Sequence, residues 1–292
     1  MKTLVYSFTQ RQQQGFTVYV LNNGGIELAA VPELGAKIIS VKDLRTGREW
    51  MWHPPGGLRL FRNHPGDDFS QSPLAGTDEC LPTIAPCTWQ DRELPDHGEV
   101  WSVPWKVDDQ AWQSGILKTT TKLAISPFEF ERSIELADNE IQINYQLTNR
   151  GSMPESFLWA LHPLLKLQPG DRLEMPASTR ALLDSKAWGD AVASAIPENA
   201  CAKVFAAPIS EGVIAISNED AVNRLEFGWN PAKNDTLGFW LSRGGWHGHD
   251  QFALEPANGD ADALTEAAGR NRCGVVAASG VTTWQMRLRV GL

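Results

Sequence analysis

Trp284-Gln285-Met286-Arg287-Leu288-Arg289-Val290, at the end of the chain, sets an apolar side chain at every second position with a polar one between. Successive side chains of a strand point to opposite faces, so this stretch reads as a strand with one packed face. Ile141, Ile143, Tyr145 and Leu147 repeat the pattern against Gln142, Asn144, Gln146 and Thr148. Phe128 and Phe130, beside Glu129 and Glu131, begin it again. Working outward, further strands are predicted at 16–21, 26–31, 36–43, 116–126, 156–167, 202–207, 212–217, 222–229, 236–242 and 251–255. Turn-forming residues separate them at Asn22-Asn23-Gly24-Gly25, Ala137-Asp138-Asn139, Asn149-Arg150-Gly151 and Ser217-Asn218-Glu219-Asp220. Helical pattern is scarce, and its best stretch is short, near 261–268. Many strands joined by tight turns predict an all-β fold, a large antiparallel sandwich.

The 292 residues are 42% hydrophobic, enough for a substantial core. All-β folds of this size form one domain, so 1–292 is expected to be a single unit. The net charge of −9 argues against partners rich in phosphate, both nucleic acid and anionic membrane surface. Cys80, Cys87, Cys201 and Cys273 show no C-x-x-C spacing, so buried free thiols are expected rather than a disulfide framework. Residues 1–8 hold one lysine and no long apolar run, which predicts no signal peptide and a cytoplasmic location. A monomer or a homodimer is expected.

The stretch 50–105 differs from the rest. It is rich in Pro, Gly, Trp, His and Asp and poor in strand pattern. A long irregular segment inside a compact fold is functional or disordered, and its tryptophans argue against disorder.

Three segments could carry chemistry. In Asp96-His97-Gly98-Glu99, a carboxylate can orient a neighbouring histidine whose ring stays accessible. A turn-capping histidine in a surface loop is the plainer reading. In Leu161-His162-Pro163, a histidine ends an apolar strand just before a proline that cannot donate to a sheet ladder. It could face a cleft, or bond a carbonyl at the sheet margin. In Gln251-Phe252-Ala253-Leu254-Glu255-Pro256, alternation points Gln251, Ala253 and Glu255 one way and Phe252 and Leu254 the other. A carboxylate among apolar neighbours is expected to have a raised pKa through desolvation, suited to a general base. A solvated strand-end glutamate is the ordinary alternative. Together these residues form a set for proton transfer without a nucleophile.

The three segments, in this order, resemble the aldose 1-epimerase (galactose mutarotase) family. Asn258-Gly259, the short helix and the final strand fit the same pattern. The resemblance implies a galactose mutarotase-like β-supersandwich and interconversion of the α and β anomers of a free aldose. It implies Glu255 as the base at the C1 hydroxyl, His162 as the acid at the ring oxygen and His97 assisting by hydrogen bonding. It implies no metal and no organic cofactor, because acid–base transfer supplies the chemistry. The family's sugar-binding arginine has no counterpart in 72–82, where Asp78 or Glu79 is the expected hydroxyl acceptor. Leu164-Leu165 also departs from the family pattern after the proline, so the resemblance implies a divergent branch and does not name galactose.

Twelve tryptophans is a high count; indoles stack on the C–H faces of sugars, but they also pack cores, so most of the twelve are expected to be structural and about one to three to touch ligand. Trp89, Trp101, Trp105, Trp240 and Trp246 lie in or near irregular segments. Trp101 and Trp240 are the expected substrate contacts, with Trp101 first because it follows His97 by four residues. His247-x-His249 lacks an evident third ligand, so a metal pair is not expected; His247 is a candidate sugar contact, with a plain loop histidine as the simpler reading. A phosphorylated sugar would call for arginines, for which Arg59 and Arg62 are the candidates. Two rival readings stay open: a glycoside hydrolase or lyase, pairing Glu255 with Asp78, Glu79 or Glu99, and a non-catalytic carbohydrate-binding protein.

Overall fold

The computed structural model describes residues 6–183, 196–219 and 221–291. Residues 1–5 of the N-terminal stretch and Asp220 of the predicted turn lie outside them. Two antiparallel sheets dominate. The nine-stranded sheet runs Ser7–Gln13, Phe16–Asn22, Ile26–Val31, Lys37–Asp43, Thr77–Cys80, Ala160–Leu165, His249–Ala257, Thr236–Trp246 and Cys201–Ala206 in spatial order. The eight-stranded sheet runs Arg172–Glu174, Val213–Ser217, Arg224–Trp229, Val281–Val290, Glu140–Asn149, Phe128–Ala137, Leu117–Lys122 and Lys106–Val107.

The strands predicted from alternation sit at the heart of this architecture. Trp284 pairs with Tyr145 and Met286 with Ile143, while Phe130 pairs with Leu147. Their apolar faces join Leu28, Ile38, Leu161, Phe239 and Phe252 of the other sheet in one buried core. Each such side chain contributes about 1.5–3 kcal/mol on burial, which holds the two sheets face to face. The helix expected near 261–268 spans Leu264–Gly269.

Three differences from the sequence reading matter. The stretch 156–167 divides into Glu155–Phe157, in a small separate sheet, and Ala160–Leu165 in the large one. The irregular region 50–105 contains Thr77–Cys80, a fully buried strand in the middle of the nine-stranded sheet. Its polar sequence hides it: Asp78 and Glu79 are tolerated there because Lys37 and Arg132 are buried with them as ion-pair partners. Finally, of the four free cysteines only Cys80 is buried, and Cys201 is exposed.

Candidate active site

The site forms where two strands of the large sheet lie side by side without a complete ladder. Ala160–Leu165 pairs with His249–Ala257 at Ala160↔Ala257 and again at Leu164↔Ala253, with no rung between. Pro163 and Pro256 bring no N–H to this window. The register sets His162 directly opposite Glu255, on one face. Opposed side chains in such a pair have Cβ atoms about 5 Å apart, and here His162 Nε2 lies 3.7 Å from Glu255 Oε1. The next strand over places Gly238 opposite Glu255. A Cβ there would lie 3.2 Å from the Glu255 Cβ and 3.3 Å from the Phe205 ring, so glycine leaves the carboxylate its space.

The same face continues across the sheet. Lys203 pairs with Trp240, and Trp240 with Ala253. Lys203 Nζ lies 2.8 Å from Glu255 Oε2 and 2.7 Å from Asp262 Oδ1. Burial works against the ammonium charge, but the two carboxylates hold its pKa above the ordinary lysine value.

His97 arrives from the irregular region. Its backbone has φ 56° and that of Gly98 φ 76°, both left-handed. A side chain at Gly98 would place a Cβ 2.1 Å from the Leu81 carbonyl oxygen, so only glycine passes here. The turn aims the His97 ring at His162, edge to face at 5.2 Å between centroids. Phe69 stacks on His97 at 3.8 Å. Asp96 Oδ1 lies 2.8 Å from His97 Nδ1, and Asp96 Oδ2 accepts from the Phe69 N–H at 2.9 Å. Bonding at Nδ1 leaves Nε2 of His97 for a ligand.

These groups enclose a cavity of about 230 Å³ lined by Phe69, Asp96, His97, His162, Lys203, Trp240, Trp246, Gln251, Glu255 and Asp262, among others. Its electrostatics follow from burial and neighbours. Burial lowers His162 to about 4, against the pull of the Glu255 charge. Burial also opposes ionisation of Glu255, but Lys203, with His162 beside it, outweighs burial and holds the carboxyl below its usual range. The raised pKa expected from desolvation is therefore corrected: a lysine that the three quoted segments do not contain decides the sign. Burial opposes ionisation of Asp96 as well, and its bonds to His97 and Phe69 outweigh it, again leaving the carboxyl below the ordinary value.

His97, His162, Glu255 and Trp240 thus converge on one cavity. The other expected contacts do not line it. Asp78 stands opposite His162, but its Oδ2 is taken by the Lys37 ammonium. Glu79 points to the opposite face, into the core, where it accepts from Arg132 at 2.9 Å, Tyr145 at 2.9 Å and Trp159 at 2.8 Å. Trp101 is buried behind Phe69, and its indole N–H donates to the Asp96 carbonyl at 2.8 Å. It supports the His97 turn and has no free face for sugar. His247 packs edge-on against Trp246, at 4.5 Å, one ring removed from the cavity lining. Glu99 accepts the backbone N–H groups of Ile125 and Ser126. Arg59 and Arg62 are exposed and do not line the cavity. Among the described residues, no group of three or more His, Cys, Asp or Glu side chains is placed to hold a metal ion.

Lys203, Asp262 and Phe69 also line the cavity without having been expected as ligand contacts, and Trp246, one of the tryptophans near the irregular segments, lines it as well. Lys203 left one signal: it is the single charged residue in the predicted strand 202–207. Phe69 left none, because it lies where no periodicity exists.

The family model for aldose 1-epimerases matches residues 17–192, more than half of the chain. The chain belongs to the aldose 1-epimerase family. The matched part of this aldose 1-epimerase family member holds His97 and His162, and Glu255 lies beyond it. No curated protein matches by sequence. Among solved structures, a galactose mutarotase-like protein from Clostridium acetobutylicum superposes with TM-score 0.74 at 13% identity, covering 99% of each chain. Slr1438 protein from Synechocystis sp. PCC 6803 gives TM-score 0.70 at 17% identity, over 100% of this chain and 98% of that one. A galactose mutarotase related enzyme from Lactobacillus acidophilus gives 0.68 at 14%, over 94% and 97%. At such identities the likeness is one of fold, and the family member shares the galactose mutarotase-like architecture across its length. Among the described residues no helix is long and apolar enough to cross a membrane.

Proposed function

We propose that the protein interconverts the α and β anomers of an aldose. The observation that carries this reading is the opposition of His162 and Glu255, 3.7 Å apart across an unladdered window, with His97 beside them in the same cavity. A sugar whose anomeric centre lies between the pair presents its C1 hydroxyl to Glu255 and its ring oxygen to His162.

Lys203 keeps Glu255 ionised, so the carboxylate accepts the hydroxyl proton as the C1–O5 bond breaks. The electron pair of that bond goes to the ring oxygen, which takes a proton from His162. His162 is depressed to about 4, so its imidazolium is scarce at neutral pH but strongly acidic when formed. That suits a weakly basic ring oxygen. The freed aldehyde turns about C1–C2, and the two proton transfers reverse as the ring closes on the other face. His97, whose Nδ1–H is held by Asp96, accepts from a sugar hydroxyl through Nε2. Trp240 and Trp246 offer aromatic surface to the C–H face of the ring. Water and the protein's own acid and base balance every proton, and no further group enters the scheme. A cytoplasmic, single-domain protein acting on a small carbohydrate remains part of this proposal.

The hydrolase alternative is less well served, because none of Asp78, Glu79 and Glu99 lines the cavity and a histidine faces Glu255. The test is polarimetry of freshly dissolved α-glucose, α-galactose and related aldoses. Acceleration over buffer is expected for at least one sugar. Glu255→Gln and His162→Asn should abolish turnover while leaving sugar affinity within about tenfold, and His97→Asn should lose less, because these changes remove proton transfer more than contacts. Near-native rates in the first two variants would refute the roles. Sugar binding with no acceleration for any aldose would favour a binding protein.

A further inference from the structure

A second cavity, of about 630 Å³, adjoins the first. Glu49, Trp52, His53, Lys166, Arg243 and Asp250 are among the residues that line it. The two linings share one described residue, Gln251. Gln251 is only 2% exposed, and neither its amide oxygen nor its amide nitrogen has a hydrogen-bond partner. A buried amide with two donors and an oxygen acceptor unused is costly and calls for a ligand.

Position along the strand says which ligand. Gln251 and Glu255 share a face four residues apart, which is about 13 Å at the rise of an extended chain. A pyranose ring with its anomeric carbon at Glu255 covers the strand near Ala253, and its far edge approaches Gln251. A group bonded to that far edge would meet Gln251, the residue that the first cavity shares with the second. There the polar side chains and the Trp52 ring, which meets His249 edge to face at 5.3 Å, are the surroundings a further sugar ring uses.

We propose that the second cavity is a sugar subsite, with Gln251 bonding the junction between two rings, so that the preferred substrate is the reducing end of a disaccharide or longer chain. This rests on the reading that the first cavity holds a sugar.

The experiment is calorimetric titration of the protein with glucose, maltose and cellobiose, run beside polarimetry of the same sugars. At least one disaccharide should bind about tenfold more tightly than glucose, the gain expected of two further hydrogen bonds at about 0.5–1.5 kcal/mol each. Gln251→Leu should remove that advantage. Gln168→Trp, on the exposed rim of the second cavity, should reduce disaccharide binding by narrowing the subsite and serves as a second variant should the first not fold. Disaccharides that bind no better than glucose, an advantage that survives both variants, or no binding of any sugar would overturn the subsite. Tighter disaccharide binding without any acceleration of anomer exchange would instead overturn the epimerase reading and leave the subsite standing.

Discussion

Replacing Lys203 with methionine keeps the stem of the side chain and removes its charge. The structure sets the size of the effect. Glu255 is 1% exposed, and Lys203 Nζ lies 2.8 Å from its Oε2. At an effective dielectric of about 20, two unit charges at that separation attract by roughly 6 kcal/mol. The ammonium is shared with Asp262, and the Lys203 side chain keeps 20% of its exposure, so part of this is screened. The net cost of leaving Glu255 without its cation is then about 3 kcal/mol, at the low end for a broken buried pair. That is a large fraction of a typical folding free energy of about 5–15 kcal/mol, yet it leaves a folded protein. The reverse change is milder. Glu255→Gln leaves Lys203 paired with Asp262, and its cost should stay near 1 kcal/mol. Urea denaturation of the wild type, both single variants and the double variant gives the coupling directly. In the Glu255→Gln background, Lys203→Met should cost little. In parallel, the acid limb of kcat/KM should move to higher pH in Lys203→Met, because burial then acts on Glu255 unopposed by the ammonium. Equal costs of Lys203→Met in both backgrounds, or an unmoved acid limb, would refute the claim that this lysine sets the charge state of Glu255.

Two more outcomes follow from the same electrostatics. If imidazolium at His162 is the acid, kcat/KM should fall about tenfold per pH unit between pH 5 and pH 9, because the free enzyme loses that proton well below neutrality; a flat profile would point to the neutral ring acting only as a hydrogen-bond donor. Glu79→Ala should lower stability by about 3–5 kcal/mol by stranding Arg132 in the core, with KM unchanged in any material that folds; a raised KM without loss of stability would return Glu79 to the sugar site.

Alternation made the core strands legible, because a packed face needs apolar side chains at a period of two whatever the rest of the chain does. It also assigned Gln251 and Glu255 to one face. It could not find Thr77–Cys80, since a buried strand of Thr, Asp, Glu and Cys is recognisable only once Lys37 and Arg132 are known to meet it. The same blindness misplaced Asp78 and Glu79. Neighbours on one strand point to opposite faces, and both carboxylates already had partners distant in sequence. Trp101 was misread because four residues separate it from His97 along a turn, where sequence distance says little about direction. His97, His162 and Glu255, which the structure brings to one cavity, each sit beside a glycine or a proline, and these residues mark places where the backbone departs from its pattern. Lys203 stands in an unbroken strand and is defined only by what lies across from it.

The gap between the rungs at Ala160↔Ala257 and Leu164↔Ala253 has a consequence for durability. An interrupted ladder in the middle of a dry sheet would ordinarily orphan amide hydrogens, each of which favours local opening and the entry of water. Pro163 and Pro256 carry no such hydrogens. The gap between His162 and Glu255 is thus made by subtraction, and the framework on either side stays closed. An alanine at either proline would return one donor to the gap, and the sheet would either zip shut over His162 and Glu255 or draw in a solvent molecule to satisfy it.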